Sequence, residues 1–361
     1  MSYFLAFAGF AALIILHEAG HFAMAKAVGM RVEKFSLFFG PMVWSFRRGE
    51  TVYGVGSIPL GGYVKITGMN PREEIPPEAI SRAYFNQPVW KRVVVILAGP
   101  GMNFLIAFVI LTAIFWAHGN LANPVPTHTV AKGTLEAPAS TYLKPGDKIV
   151  AVDGKRGLSV EAISRQISSH KCAGKPVKGC QASTPVKLLV ERNGQPLSLT
   201  ISPRYDTRLG RTRLGFAFGQ RAPPLGLGGA AHQSVSQMWY LTSRTVSTVA
   251  RLFEPKERAQ LHGVVGGFTV TQQEFASDTT NALATLALIS LSLAVINLFP
   301  FLPLDGGHVF GALAEKLRGR RIPFEAMERA GVVGFVLILF VFVIGLSNDI
   351  STLTGQGFNP H

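Results

Sequence analysis

Met1-Ser-Tyr-Phe-Leu-Ala-Phe-Ala-Gly-Phe-Ala-Ala-Leu-Ile-Ile-Leu-His17-Glu18-Ala19-Gly20-His21-Phe-Ala-Met-Ala25 holds a single carboxylate, Glu18, and no Lys or Arg. As a helix this run spans about 37 Å at about 1.5 Å per residue, more than a hydrocarbon core of about 30 Å. It reads as a membrane span. Ala23-Met24-Ala25 mimics a signal-peptidase site. No basic residue precedes the apolar run, however, and the run outlasts the apolar core of a signal, so a retained span is expected.

The rest of the chain agrees. Of 361 residues 48% are hydrophobic and 16% charged, which excludes both a wholly soluble protein and a disordered one. Further spans are expected over residues 93–117, 281–304 and 331–346, giving a polytopic α-helical membrane protein with four transmembrane helices. The formal charge of +14 is spread between loops and an insert: ten Lys/Arg lie in residues 26–92, twenty in 118–280 and five in the loop before the fourth span. Short basic loops mark the cytoplasmic side, so both termini and the long insert are placed outside, as in a multi-pass protein of a bacterial cytoplasmic membrane. No base-reading motif accompanies the charge, and nucleic acid is excluded as a partner. Residues 232–253 are interrupted by Arg244 and Arg251 and read as an interfacial amphipathic helix on the bilayer.

Between the first two spans, residues 35–67 are rich in Val, Tyr, Phe and Gly, with a turn at Arg48-Gly49-Glu50, and predict a small membrane-associated β-sheet. Backbone of this kind at membrane depth must be covered by protein or face a hydrated cavity. The insert shows strand-like residues 148–152 and 186–191, a helix over 160–169, and turns at Pro145-Gly146-Asp147 and Asn193-Gly194. Tyr142-Leu-Lys-Pro-Gly-Asp-Lys-Ile-Val-Ala-Val-Asp-Gly154 resembles the core of bacterial PDZ domains. That likeness implies an α+β extracytoplasmic domain that either binds a peptide or protein segment by strand addition or blocks access to the membrane portion. Cys172 and Cys180 flank a Gly/Pro/Lys loop, and their spacing leaves a disulfide open. The expected divisions are 1–117 and 281–348 for the two parts of the membrane core, 118–206 for the PDZ domain, 207–280 for a linker with the interfacial helix, and 349–361 for a tail.

His17-Glu18-Ala19-Gly20-His21 is an H-E-x-x-H. Residues four apart share a helix face, so both imidazoles can meet one zinc ion with Glu18 beside its water. Ionisable groups in an apolar span are costly unless they face a wet or paired environment, which makes a functional site the default reading. Two cysteines cannot supply a Cys-ligated zinc module, and a catalytic zinc takes about three protein ligands. The third is sought in Asn297-Leu-Phe-Pro-Phe-Leu-Pro-Leu-Asp-Gly-Gly-His308, where Pro300, Pro303, Gly306 and Gly307 break the helix and expose Asp305. Asp305 is the candidate and His308 the rival.

H-E-x-x-H in the first span together with Asn297-x-x-Pro300 and Leu304-Asp305-Gly306 in a later one resembles the site-2 protease family of zinc intramembrane metalloproteases. Phe39-Gly40-Pro41, Ile58-Pro-Leu-Gly-Gly-Tyr-Val-Lys65, Phe85-Asn86 and Leu97-Ala-Gly-Pro-Gly-Met-Asn103 extend the likeness to the bacterial RseP-like branch, here with a single PDZ unit. Pro303 stands one place later than the usual second proline. The resemblance implies Zn2+ on His17, His21 and Asp305, Glu18 as general base, Asn297 as a substrate-contacting or oxyanion-supporting residue, and single-pass transmembrane proteins as substrates, such as anti-sigma factors or signal-peptide remnants. The competing classes are an intramembrane ion or zinc transporter, against which stands the lack of internal repeats, and a non-catalytic PDZ membrane scaffold, which would not need Glu18.

Overall fold

The computed structural model describes residues 1–70, 73–120, 123–251, 254 and 263–355. Two compact units emerge, Met1–Ala117 with Gly226–His361, and His118–Leu225.

In the first unit α1 (Ser2–Ala27) runs without interruption through the opening apolar stretch. A helix apolar on all sides has no water-facing side and belongs inside a large core or in lipid. The hairpin expected over residues 35–67 forms as β1 (Val32–Arg48) and β2 (Thr51–Ile66), turning at Gly49, whose φ is +62°. Both strands fold back on themselves. Lys34 and Phe35 pair with Val52 and Tyr53 on one side and with Lys65 and Val64 on the other, while Phe46 also pairs with Tyr53. The result is four segments, in which residues 34–37 run antiparallel to 62–65 and parallel to 52–55, and 44–48 run antiparallel to 51–55, so that residues 62–65 lie along one border. Glu50 anchors the turn: it accepts from both Arg82 Nη atoms at 2.7 and 2.8 Å and from Lys26 Nζ at 2.5 Å, tying the hairpin to the end of α1. Those cations, Arg82 foremost, hold the Glu50 carboxyl down at about 2. A small core of Ala25, Met30, Val32, Tyr84, Val95 and Ile96 joins the end of α1, the start of the sheet and α2 (Val89–His118).

The second unit contains a sheet in the order β10-β3-β4-β6-β7, built from Phe218–Arg221, Val125–Val130, Lys148–Val152, Val186–Arg192 and Gln195–Ile201, with β5 (Lys155–Arg156) beside β4. A ribbon of β8 (Arg204–Asp206) and β9 (Arg211–Arg213) and the helix α3 (Val160–Ser169) complete it. Alternating residues of β4 and β6, among them Ile149, Val186, Leu188 and Val190, pack with Ile163 and Ile167 of α3. Ser159 caps α3 by accepting from the Ala162 N–H at 3.2 Å. Asn193-Gly194 turns β6 into β7 with φ of +52° and +78°, the double left-handed conformation that matches strand twist. Cys172 and Cys180 are joined as a disulfide. The unit passes residue 206, because β10 returns to pair with β3 and brings the chain through Leu225 into the same body.

The first unit resumes with α4 (Leu227–Ala250), which begins and ends earlier than the 232–253 expected. The segment expected to be linker also holds α5 (Val264–Ser277), which ends at Ser277 before the Asp278 that caps α6 (Thr279–Asn297) by accepting from Thr280 N–H. Then follow α7 (Asp305–Arg318) and α8 (Phe324–Thr354). Among the described residues four helices, Ser2–Ala27, Val89–His118, Thr279–Asn297 and Glu325–Thr354, are long and apolar enough to cross a membrane.

The second span starts at Val89, four residues before the expected start, and the third and fourth depart further from expectation. The third helix stops at Asn297 instead of reaching residue 304, because Pro300 and Pro303 lack the N–H a helix needs and their rings obstruct the preceding turn. The fourth extends well past both expected ends: polar residues such as Glu325 and Asp349 continue a helix, since hydrogen bonding and not hydropathy sets where it stops. The tail expected over 349–361 is therefore helical through Thr354, and residues 356–361 lie outside those described. Asp349 has a structural task, accepting from the N–H groups of Gly263 and Gly266 at 2.9 and 2.8 Å and so capping α5 from a neighbouring helix.

Candidate active site

On α1 His17 and His21 fall one turn apart, with ring centroids 4.9 Å apart and planes nearly perpendicular. Their Nε2 atoms approach to 3.3 Å. Two glycines permit this. A Cβ on Gly20 would stand 2.3 Å from the Ala98 carbonyl, and one on Gly99 would stand 2.1 Å from His21 Nε2, so α1 and α2 meet backbone to backbone around the imidazole. Pro100 lies in the same turn of α2 and leaves the Ile96 carbonyl without its helical donor. One residue earlier, the Val95 carbonyl accepts from His21 Nδ1–H at 2.9 Å. That bond selects the tautomer with the Nε2 lone pair turned to His17.

Asp305 reaches the same point from the far end of the chain. It is the first residue of α7, and its Oδ2 stands 3.4 Å from His17 Nε2 and 3.3 Å from His21 Nε2. The irregular segment between α6 and α7 folds tightly against its neighbours because a Cβ on Gly306 would meet the Leu298 carbonyl at 2.3 Å and one on Gly307 the Leu302 N at 2.5 Å. Gly334 of α8 admits the Leu302 carbonyl in the same way.

The residue types fit a divalent metal. Asp305 Oδ2 and His17 Nδ1 are buried without a hydrogen-bond partner among the described residues, and a buried carboxylate oxygen left so is costly unless a cation meets it. Two imidazole nitrogens and one carboxylate oxygen within 4.8 Å of one another are the donor set of a catalytic zinc with an open position. Among the described residues this is the one group of three His, Cys, Asp or Glu side chains so arranged, and His308 is not in it. His308 instead lines a cavity with Phe85, Leu302, Arg321 and Met327.

Glu18 is half-buried beside this cluster, with His21, His17 and Asp305 as its electrostatic neighbours and the Val64 backbone in contact. The β2 border comes close here: a Cβ on Gly62 would lie 3.1 Å from Glu18 Cγ and 3.2 Å from Ile14 Cγ2. A carboxylate placed there can exchange a proton with water at the cluster, while the 62–65 border offers backbone groups alongside. Asn297 closes α6, half-buried, just before the segment that leads to Asp305.

Reading the sequence missed the supports: the Val95 carbonyl, and Gly20, Gly62 and Gly99 as close-approach positions. A small residue within H-E-A-G-H and the Gly-Pro-Gly of α2 were the available signals, though neither names its partner.

Comparison with known proteins identifies the family. The model of peptidase family M50 matches residues 5–341. The chain is 30% identical to zinc metalloprotease Rip1 of Mycobacterium tuberculosis H37Rv, covering 96% of this chain and 95% of that protein. It is 31% identical to the protein all3971 of Nostoc sp., covering 99% and 98%. With R01501 of Rhizobium meliloti the identity is 28%, over 95% and 94%. Such a match, running from the first helix into the last, shows that the chain belongs to peptidase family M50.

Proposed function

We propose that His17, His21 and Asp305 hold zinc, that Glu18 is the general base, and that the chain cleaves transmembrane segments of single-pass proteins. It is a zinc metalloprotease of site-2 protease type. The observation that carries the residue assignment is the convergence of Asp305 Oδ2 with both Nε2 atoms at 3.3 to 3.4 Å, from opposite ends of the chain. Zinc, when bound, supplies Lewis acidity that polarises a carbonyl and makes water a better nucleophile near neutral pH. Glu18 takes the proton from the attacking water and passes it to the leaving amide nitrogen. Asn297 donates to the oxygen on which charge develops. Val95 holds His21 in the required tautomer throughout, through the 2.9 Å bond.

A transmembrane helix hides its peptide groups in i to i+4 bonds, so the scissile stretch must unwind. The 62–65 border of the sheet, beside Glu18, receives it as an added strand. Substrates therefore carry helix-weakening residues near the cut, and single-pass anti-sigma factors or signal-peptide remnants are the candidate classes. The protein sits multi-pass in a bacterial cytoplasmic membrane, with the His118–Leu225 unit outside, a reading supported by the short basic loops. That unit is PDZ-like. Its end strands β10 and β7 leave backbone groups to which an extended peptide can add.

Purified protein with Glu18→Gln tests the assignment: zinc content stays at wild-type level and cleavage of a single-pass substrate is lost. Asp305→Asn loses zinc, whereas His308→Ala keeps it. Cleavage surviving in Glu18→Gln, or zinc lost from His308→Ala and retained in Asp305→Asn, overturns the roles given.

A further inference from the structure

Arg92 stands in the first turns of α2, one turn before Val95, and reads in the sequence as a charge marking the cytoplasmic start of a span. In the fold it does something more specific. Its Nη1 donates to Glu315 Oε2 at 2.9 Å, with side chains only 9% and 19% exposed. Glu315 belongs to α7, the helix whose first residue is Asp305. The guanidinium also lies 5.9 Å from the ring centre of Tyr84, a member of the core where α1, the sheet and α2 meet, and Val309 of α7 packs against that same core.

These contacts close a circuit. His21 bonds to Val95 on α2, Arg92 on α2 bonds to Glu315 on α7, and Asp305 on α7 returns to His21. Between Asn297 and Asp305 the chain is non-helical and broken by two prolines; close packing at Gly306 and Gly307 seats the start of α7, and the Arg92 bond fixes the helix near its other end. A rigid helix tethered near its far end carries its first residue to a fixed place.

We propose that the Arg92–Glu315 ion pair is a positioning device that sets where Asp305 stands relative to His21, and with it the zinc affinity of the site. The inference rests on the metal reading above. Partners hydrogen-bonded directly to ligands change metal affinity by about tenfold to hundredfold when removed, and a tether that acts through the length of α7 belongs at the lower end of that range. Arg321, at 3.9 Å from the other Glu315 oxygen and largely exposed, is the weaker partner, so altering Glu315 has more effect than altering Arg92.

The experiment measures zinc affinity of the full-length protein in detergent by competition with a chromophoric chelator, alongside thermal unfolding. Arg92→Met and Glu315→Gln are each expected to weaken zinc binding by about tenfold or more. The exchanged pair Arg92→Glu with Glu315→Arg is expected to recover most of that loss. Glu315→Gln keeps the side-chain shape and carries the test alone should the Arg92 variant fail to accumulate. Single variants that unfold at lower temperature yet bind zinc as the wild type does would show a merely structural bridge and overturn the proposal, as would an exchanged pair no tighter than the singles. Wild type and Asp305→Asn run in parallel: absence of zinc from the wild type refutes the metal reading itself, whereas wild-type affinity in the pair variants refutes only the positioning role.

Discussion

Asp147 in the inserted unit and Asn103 in the membrane unit are both buried polar residues, with opposite surroundings. Asp147, 1% exposed, accepts from Arg192 Nε and Nη2 at 2.8 and 2.7 Å and from the Lys144 N–H at 2.8 Å, and Arg192 holds its carboxyl below the usual range. Asn103 is fully buried, and among the described residues neither of its side-chain polar atoms has a hydrogen-bond partner. Around Asp147 the interior is apolar, built from Val, Ile and Leu. Around His17, His21 and Asp305 the helices α1 and α2 meet at Gly20 and Gly99, and Ser290 donates to the Asn103 carbonyl, while many Leu, Val and Phe side chains of the spans point outward and a smaller set, Leu13, Val95, Leu111 and Leu291 among them, is buried between helices. In water, apolar groups go inside. In lipid there is no such drive between helices, so packing of small residues and polar contacts hold them together, and the chemistry collects where they meet.

That contrast is most sharply tested at Gly99. Replacing it with Leu puts a side chain where His21 Nε2 stands, and zinc content should fall to background with activity, measured by metal analysis of the purified protein. If small residues here are incidental, zinc is retained. The matching change in the insert is Asp147→Ala, which leaves Arg192 unpaired and should lower the local stability of that unit by about 3 kcal/mol, read by hydrogen exchange, with zinc content unchanged.

A smaller effect is expected at Gly62→Ala. The added methyl presses on Glu18 and Ile14 at 3.1 and 3.2 Å, so kcat/KM should drop about tenfold, near 1.4 kcal/mol, while zinc stays bound. Loss of zinc instead would mean that the sheet border supports the ligands and not the base.

The mildest test is of pH. Glu50 is held at about 2 against an ordinary 4.5, so its contribution to hairpin stability is fully present above about pH 4.5 and fades as pH falls toward 2. Hydrogen-exchange protection of β1 and β2 should decline over that window in the wild type and not in Glu50→Gln, whose hairpin should be weaker by about 1 kcal/mol at neutral pH. Equal acid sensitivity in both would remove Glu50 as the cause.

Much of this could be read from residues in order. Hydropathy located four spans, since crossing lipid requires a run of apolar residues that no local detail can replace. The insert's strands, read over 148–152 and 186–191, and its helix over 160–169 followed from residue pattern and the turns at Pro145-Gly146-Asp147 and Asn193-Gly194, all local signals, with the second strand running one residue further to Arg192. His17 and His21 were legible as a pair because helical periodicity alone puts them on one face. The helix Val264–Ser277 and the boundary at Leu225 were not, because each is set by a partner elsewhere in the chain, Asp349 for the first and β3 for the second; the stop at Asn297 is local, set by Pro300 and Pro303.

Local order thus decided that this protein has membrane helices, a hairpin, a β-rich insert and two imidazoles on one helical face. Tertiary packing decided that Asp305, and not His308, completes the cluster, that Val95 orients His21, and that Arg92 meets Glu315. Periodicity and turn chemistry act over a few residues, whereas these contacts join positions far apart in the chain, and only folded helices at close approach bring such atoms within bonding distance.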